Sequence, residues 1–218
     1  MSNMKNFDRV YKQLITEQDQ NVYNVGIFPG AFKPPHIGHY ATAYDACKNN
    51  EKVYIFVSDK SRPLSTQNKG NTKEVPDSAR YSNILKSDKY SDNLLGVRTA
   101  GVARMTSATA FRAAISIKDK NTIAKNIPDG VDKDEVYSIL MQSNDIGNSG
   151  YGHITIDQTM RIWQLYSVLL MNLTGKGPDD LIIKRSSPSP VKDTYDLVDA
   201  LNKSEHARMT SVRLYVGE

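Results

Sequence analysis

Apolar positions along the chain fall into short runs that alternate with helical stripes. Val25-Gly-Ile-Phe28 is a brief apolar run, and Lys52-Val-Tyr-Ile-Phe-Val-Ser58 a longer one rich in β-branched and aromatic residues. Both patterns predict buried strands, and the spacing over 37–49 between them predicts a helix. A strand, helix and strand of this length predict a parallel crossover unit. Further strands are expected near 94–99, 180–184 and 212–216, and helices near 77–87, 107–117, 132–141, 155–170 and 191–202. Asp132 precedes the helix near 132–141, and Asp134 and Glu135 in its first turn suit a helix N-terminus. The stripe over 155–170 is the strongest: Ile156, Met160, Trp163 and Ser167 mark one flank, and Ile162, Leu165, Tyr166 and Leu169 extend it toward a core. The expected fold class is α/β, a Rossmann-like, doubly wound, parallel five-stranded sheet flanked by helices.

Residues 1–20 carry Phe7, Val10, Tyr11, Leu14 and Ile15 on one stripe, which predicts an exposed N-terminal helical extension. Residues 21–218 are expected to form a single domain, a size compatible with the full length of 218. Two polar stretches, 65–73 and 144–152, read as linkers. The net charge of +4 is mild; it suits an anionic small-molecule substrate and does not by itself argue for nucleic acid. No apolar run approaches a membrane span, and the first residues lack the apolar stretch of a signal peptide. The single cysteine, Cys47, falls on the apolar side of the first helix and is expected to fill core, in keeping with a reducing, cytoplasmic setting.

Candidate chemistry concentrates in Gly30-Ala-Phe-Lys-Pro-Pro-His-Ile-Gly-His39, where a strand runs through a tight Gly/Pro turn into a helix. Backbone N–H groups at a helix start are expected to be unpaired, and the helix dipole favours an anion there. His36 and His39, three residues apart, share a helix face and can reach one phosphate. A second segment, Met105-Thr-Ser-Ala-Thr-Ala-Phe-Arg112, follows a strand and opens a helix. Ser107 or Thr106 can cap it, and Thr109 and Arg112 lie on one face near its positive end. Taken alone, this segment reads equally well as an ordinary capped helix with a surface arginine. Lys60 and Arg62, just past the strand ending at Ser58, are secondary phosphate candidates, because ligands of such sheets bind at the carboxyl ends of strands. Arg185 and Lys192 have the same standing more weakly, His153 and His206 fit no ligand spacing, and no Asp, His or Cys cluster suggests a built-in metal site.

Gly30-x-Phe32-x-Pro34-Pro35-His36-x-Gly38-His39 together with Thr106-Ser107-x-Thr109-x-x-Arg112 resembles the nucleotidyltransferase superfamily with the HIGH motif. That superfamily includes nicotinamide mononucleotide and phosphopantetheine adenylyltransferases and the small cytidylyltransferases; the stand-alone nucleotidyltransferases of bacteriophages look most similar. The resemblance implies in-line transfer of a nucleoside monophosphate, AMP slightly favoured over CMP, from a nucleoside triphosphate to a phosphorylated small-molecule acceptor, with release of pyrophosphate. It implies catalytic roles for His36, His39 and Lys33, and nucleotide binding by Gly30, Phe32, Gly38, Ser107, Thr109 and Arg112. Mg²⁺ is expected to arrive with the nucleotide. Membranes and nucleic acid are not expected as partners, and a homo-oligomer stays open. The alternative is a catalytically silent nucleotide-binding protein that keeps the fold.

The order of the pieces departs from the resembling phage proteins. There the second strand is followed by the long Trp-bearing helix and two more strands, and the Ser-x-Thr-x-x-Arg helix comes last. Here Thr106–Arg112 precedes the 155–170 helix, which predicts exchanged blocks joined through the polar stretches at 65–73 and 144–152. Nine extended residues span up to about 30 Å, enough to cross the end of a small sheet. The usual three-dimensional arrangement with rewired connections is therefore expected.

Overall fold

The structure is a computed structural model that describes residues 22–59, 62–63, 81, 84, 94, 96–100, 108–142, 153–186 and 189–215. In chain order its elements are β1 (Tyr23–Gly30), α1 (Ile37–Asn49), β2 (Lys52–Ser58), β3 (Arg62–Pro63) and β4 (Gly96–Ala100). Next come α2 (Ala108–Ser116), α3 (Lys120–Lys125), α4 (Lys133–Met141), β5 (His153–Ile154) and α5 (Ile156–Thr174). The chain continues through β6 (Leu181–Ser186), α6 (Pro190–Asn202), a 3₁₀ turn (Ala207–Met209) and β7 (Thr210–Tyr215).

The fold is α/β, with a parallel sheet whose strands run β4-β7-β1-β2-β6 from edge to edge. Side chains of β1 alternate across it: Val25 and Ile27 join one apolar cluster and Phe28 the other, as the two-residue period of a strand requires. A sheet covered on both faces needs apolar residues on both, which is why β1 and β2 read as nearly continuous apolar runs. On one face, α1 and α5 pack Ala43, Ala46, Trp163 and Tyr166 against Phe28, Val53, Ile55 and Val57. On the other, α6 brings Val198 onto Val25, Ile27, Phe56, Val212 and Leu214.

β7, last in the chain, pairs with β1 on one side and β4 on the other. β4 comes from mid-chain and takes the sheet edge. A small antiparallel pair, Arg62 with Ile154 and Pro63 with His153, joins β3 to β5; two residues carry too little periodicity to predict it.

Two details differ from the expected elements. α5 continues to Thr174, where Gly175 takes a left-handed conformation (φ 70°) and ends it, a backbone position suited to glycine. The expected helix at 107–117 is followed by a separate one, α3, which begins where the Asp119 side chain accepts the N–H groups of Asn121 and Thr122; that aspartate was a readable start signal. Of the expected 77–87 helix only Tyr81 and Ile84 are described, both buried in the α6-side cluster with Leu94. The N-terminal extension 1–20 and the stretches 65–73 and 144–152 lie outside the described residues. Cys47 is buried, and that burial pushes its thiol up to about 11, so it is chemically quiet. No helix among the described residues is long and apolar enough to cross a membrane.

Candidate active site

The turn leaving β1 is built around Phe32, whose φ of 46° lies in the left-handed region that a bulky side chain seldom occupies. Its ring is held edge-on by Phe28 (4.7 Å between centroids), His39 (5.0 Å) and Trp163 (5.3 Å). A Cβ at Gly30 would come within 2.6 Å of that ring, so the space glycine leaves is filled by Phe32 folding back over the strand end. Lys33 follows, only 3% exposed and thus packed inside the protein instead of reaching into solvent. From behind, the Tyr166 hydroxyl of α5 donates to the Pro35 carbonyl at 3.4 Å.

His36 caps α1 from an extended backbone (φ −134°, ψ 174°). Its Nδ1 accepts the Gly38 N–H at 3.1 Å, and its own N–H donates to Nδ1 of His39 at 3.2 Å. This is a reciprocal capping box made from two imidazoles. An Nδ1 that accepts cannot carry a proton, so each neutral ring holds its proton on Nε2. The rings stack with centroids 3.7 Å apart and planes inclined by 26°. His39 keeps partial exposure, yet burial of its ring, and secondly the adjacent His36, push its pKa well below the usual histidine value. Further protonation of His39 is disfavoured, and on each neutral ring the N–H is at Nε2.

One expectation is corrected here. The Ile37 N–H donates to the Asn126 carbonyl at 2.8 Å, so the N–H groups of His36, Ile37 and Gly38 all have acceptors within the protein. The start of α1 keeps its dipole, but an anion there meets imidazoles in place of a row of open backbone donors.

The second motif lies against the first. Arg112 Nη2 donates to Thr109 Oγ1 at 3.2 Å, so the two share a face of α2. Between them in sequence, Phe111 turns inward (1% exposed) and sets its ring edge-on to His36 at 6.2 Å. Thr106 and Ser107 lie outside the described residues.

A family model described as cytidylyltransferase-like matches residues 27–146. The chain belongs to that family. Its matched span holds both motifs of this cytidylyltransferase-like chain and places it among the nucleotidyltransferases. No curated protein and no solved structure matches it.

Elsewhere on the carboxyl edge of the cytidylyltransferase-like sheet, Ser58 and Ser186 end β2 and β6 opposite one another. Arg62 lies in β3, and Lys60 is outside the described residues. Arg185 Nη1 approaches Asp157 Oδ1 at 3.5 Å, an exposed pair worth little to stability. Sequence reasoning did not single out Trp163, Tyr166 and Phe111 as supports of the histidine turn. Their apolar spacing announced burial but could not say against what. The Asn126 carbonyl had no signal at all, since any residue supplies one.

Proposed function

We propose that this cytidylyltransferase-like chain transfers a nucleoside monophosphate, AMP in preference to CMP, from a nucleoside triphosphate to a phosphorylated small-molecule acceptor. The observation that carries this reading is the stacked His36–His39 pair, both Nδ1 atoms accepting, seated against the helix that bears Thr109 and Arg112. An oxygen of the acceptor phosphate attacks the α-phosphorus, the bond to the bridging oxygen of the β-phosphate breaks, and pyrophosphate leaves with its electron pair. No covalent enzyme intermediate is needed, so the protein contributes placement and charge stabilisation. His36 and His39 donate from Nε2–H to the α/β-phosphate oxygens as charge develops. Thr109 and Arg112, with Ser107, hold the β/γ-phosphates; the guanidinium suits that task through its several fixed donors. Gly30, Phe32 and Gly38 shape the turn beside the nucleotide, and Lys33 supplies positive charge from within it. Lys60 and Arg62 are secondary candidates for phosphate contact. Mg²⁺ enters as part of the nucleotide substrate, consistent with its habit of bridging phosphates and keeping waters. Such substrates go with a cytoplasmic setting.

A Rossmann-like, doubly wound domain with an exchanged segment order is part of the same reading. Helices on both sheet faces support the first half. The second is supported by the strand order: β7 lies between β1 and β4, and β6 lies beyond β2, although β4 precedes both in the chain. β6 and β7 also fall beyond the matched span 27–146. The likeness of the motifs to phage nucleotidyltransferases fits a stand-alone enzyme.

The test is pyrophosphate release from each common nucleoside triphosphate with Mg²⁺ and a panel of phosphorylated acceptors. One productive pair is expected, with turnover reduced about 100-fold or more in His36→Ala and in His39→Ala. Silence across the panel, with ATP or CTP still bound, would favour a nucleotide-binding protein that retains the fold without turnover.

A further inference from the structure

We propose that the α2–α3 hairpin sets the aim of the histidine pair through a backbone latch, the Ile37 N–H to Asn126 carbonyl hydrogen bond, with Ile37 and Asn126 as positioning residues. This deepens the transferase reading and rests on it. Ile37 is the first residue of α1, and an N–H at that position has no acceptor within its own helix. Asn126 caps the C-terminus of α3, where carbonyls are likewise left over. The leftover donor of one helix meets the leftover acceptor of another at 2.8 Å, and the positive end of one dipole faces the negative end of the other.

Asn126 is itself fixed. Its N–H donates to the Ile123 carbonyl at 2.9 Å and its Nδ2 to the Thr122 carbonyl at 2.9 Å. α3 is in turn tied to α2 by the Asp119 N–H on the Ala114 carbonyl at 2.9 Å, and its own start is fixed by the Thr122 hydroxyl donating to the Asp119 carboxylate at 2.6 Å. The hairpin therefore grips the start of α1 twice, at the Ile37 peptide and, through Phe111, at the His36 ring. The His36 N–H in turn donates to His39 Nδ1. A tilt of the backbone at 36–37 consequently re-aims both imidazoles, while Thr109 and Arg112 stay in place on α2.

Ile37→Pro isolates the bond. Proline is favoured at the first helical position and lacks the N–H, its ring taking the place of the isoleucine side chain, and the extended backbone of His36 is what a residue before proline adopts. Expected is a kcat lowered about 10-fold or more with the KM for the nucleoside triphosphate within about threefold, since α2 still holds the phosphates. Ile37→Val, which keeps the N–H, restores kcat. Imidazole ¹⁵N spectra of the free protein are read alongside: the wild-type Nδ1 signatures of His36 and His39 should shift or average in Ile37→Pro. Unchanged kcat and unchanged imidazole signals would overturn the latch, as would equal effects of the proline and valine variants. Should no acceptor support turnover, the transferase reading fails on its own, and the imidazole spectra still decide the latch. Should Ile37→Pro not fold, hydrogen exchange of the wild-type Ile37 amide decides it: protection comparable to β1 supports the bond, and free exchange overturns it.

Discussion

A histidine whose Nδ1 already accepts a backbone N–H, and whose ring is stacked on another imidazole, resists a second proton. For His39 this has a thermodynamic consequence with a definite sign. Its folded pKa is pushed well below the ordinary 6.5 by burial and by His36. In the window between the two values the unfolded chain binds the additional proton, so stability rises with pH there. The His39 contribution is complete above 6.5 and is lost as pH falls toward its folded pKa. Urea midpoints should therefore fall between about pH 7.5 and about pH 5.5, with a slope up to about 1.4 kcal/mol per pH unit from this residue. His39→Gln keeps a side chain able to close the capping box and should flatten that slope; equal slopes in the two proteins would refute the assignment. At this scale the spacing of His36, His39, Thr109 and Arg112 was legible in the sequence. Which ring nitrogen donates was not, because it depends on the hydrogen bonds that fold the turn.

Among elements, α5 matters to the site through what it holds from behind: Trp163 against Phe32, and Tyr166 against Pro35. Its start is a second capping box, with the Gln158 N–H donating to Thr155 Oγ1 at 3.2 Å and the Thr155 N–H to Gln158 Oε1 at 2.9 Å. Gln158 Nε2 also donates to the Ile139 carbonyl at 2.7 Å and so clips α5 to α4. Thr155→Ala should cost about 1 kcal/mol and lower the thermal midpoint by about 2–4 °C for a chain of this size. An unchanged melting curve would mean that α5 is held by its packed face alone. Long amphipathic stripes such as that of α5 were readable because their period survives an error of a residue or two at the ends. α3 and the β3–β5 pair were not read, being too short for a period to emerge.

For the whole molecule, the order β4-β7-β1-β2-β6 makes the exchanged-block proposal testable by rewiring. A chain in which residues 152–218 follow residue 64 and residues 65–151 come last should fold to the same far-ultraviolet circular dichroism spectrum. Its stability should lie within about 1–2 kcal/mol of the parent, because loop-closure cost grows slowly with length. Failure of the rewired chain to fold would show that the present connections are needed to form this sheet.

The sequence by itself determined the local structure and the family: runs and stripes placed the main strands and helices, and two spaced motifs lie in the span that matches the cytidylyltransferase-like family. Side-chain periodicity reports which face of an element is buried, and that is a local property. Only the tertiary structure decided which strand neighbours which, that β7 enters between β1 and β4, and that the first N–H groups of α1 are satisfied within the protein. Those outcomes come from backbone hydrogen bonds between segments far apart in the chain. Every residue except proline carries the same donor and acceptor, so no residue type marks them in advance.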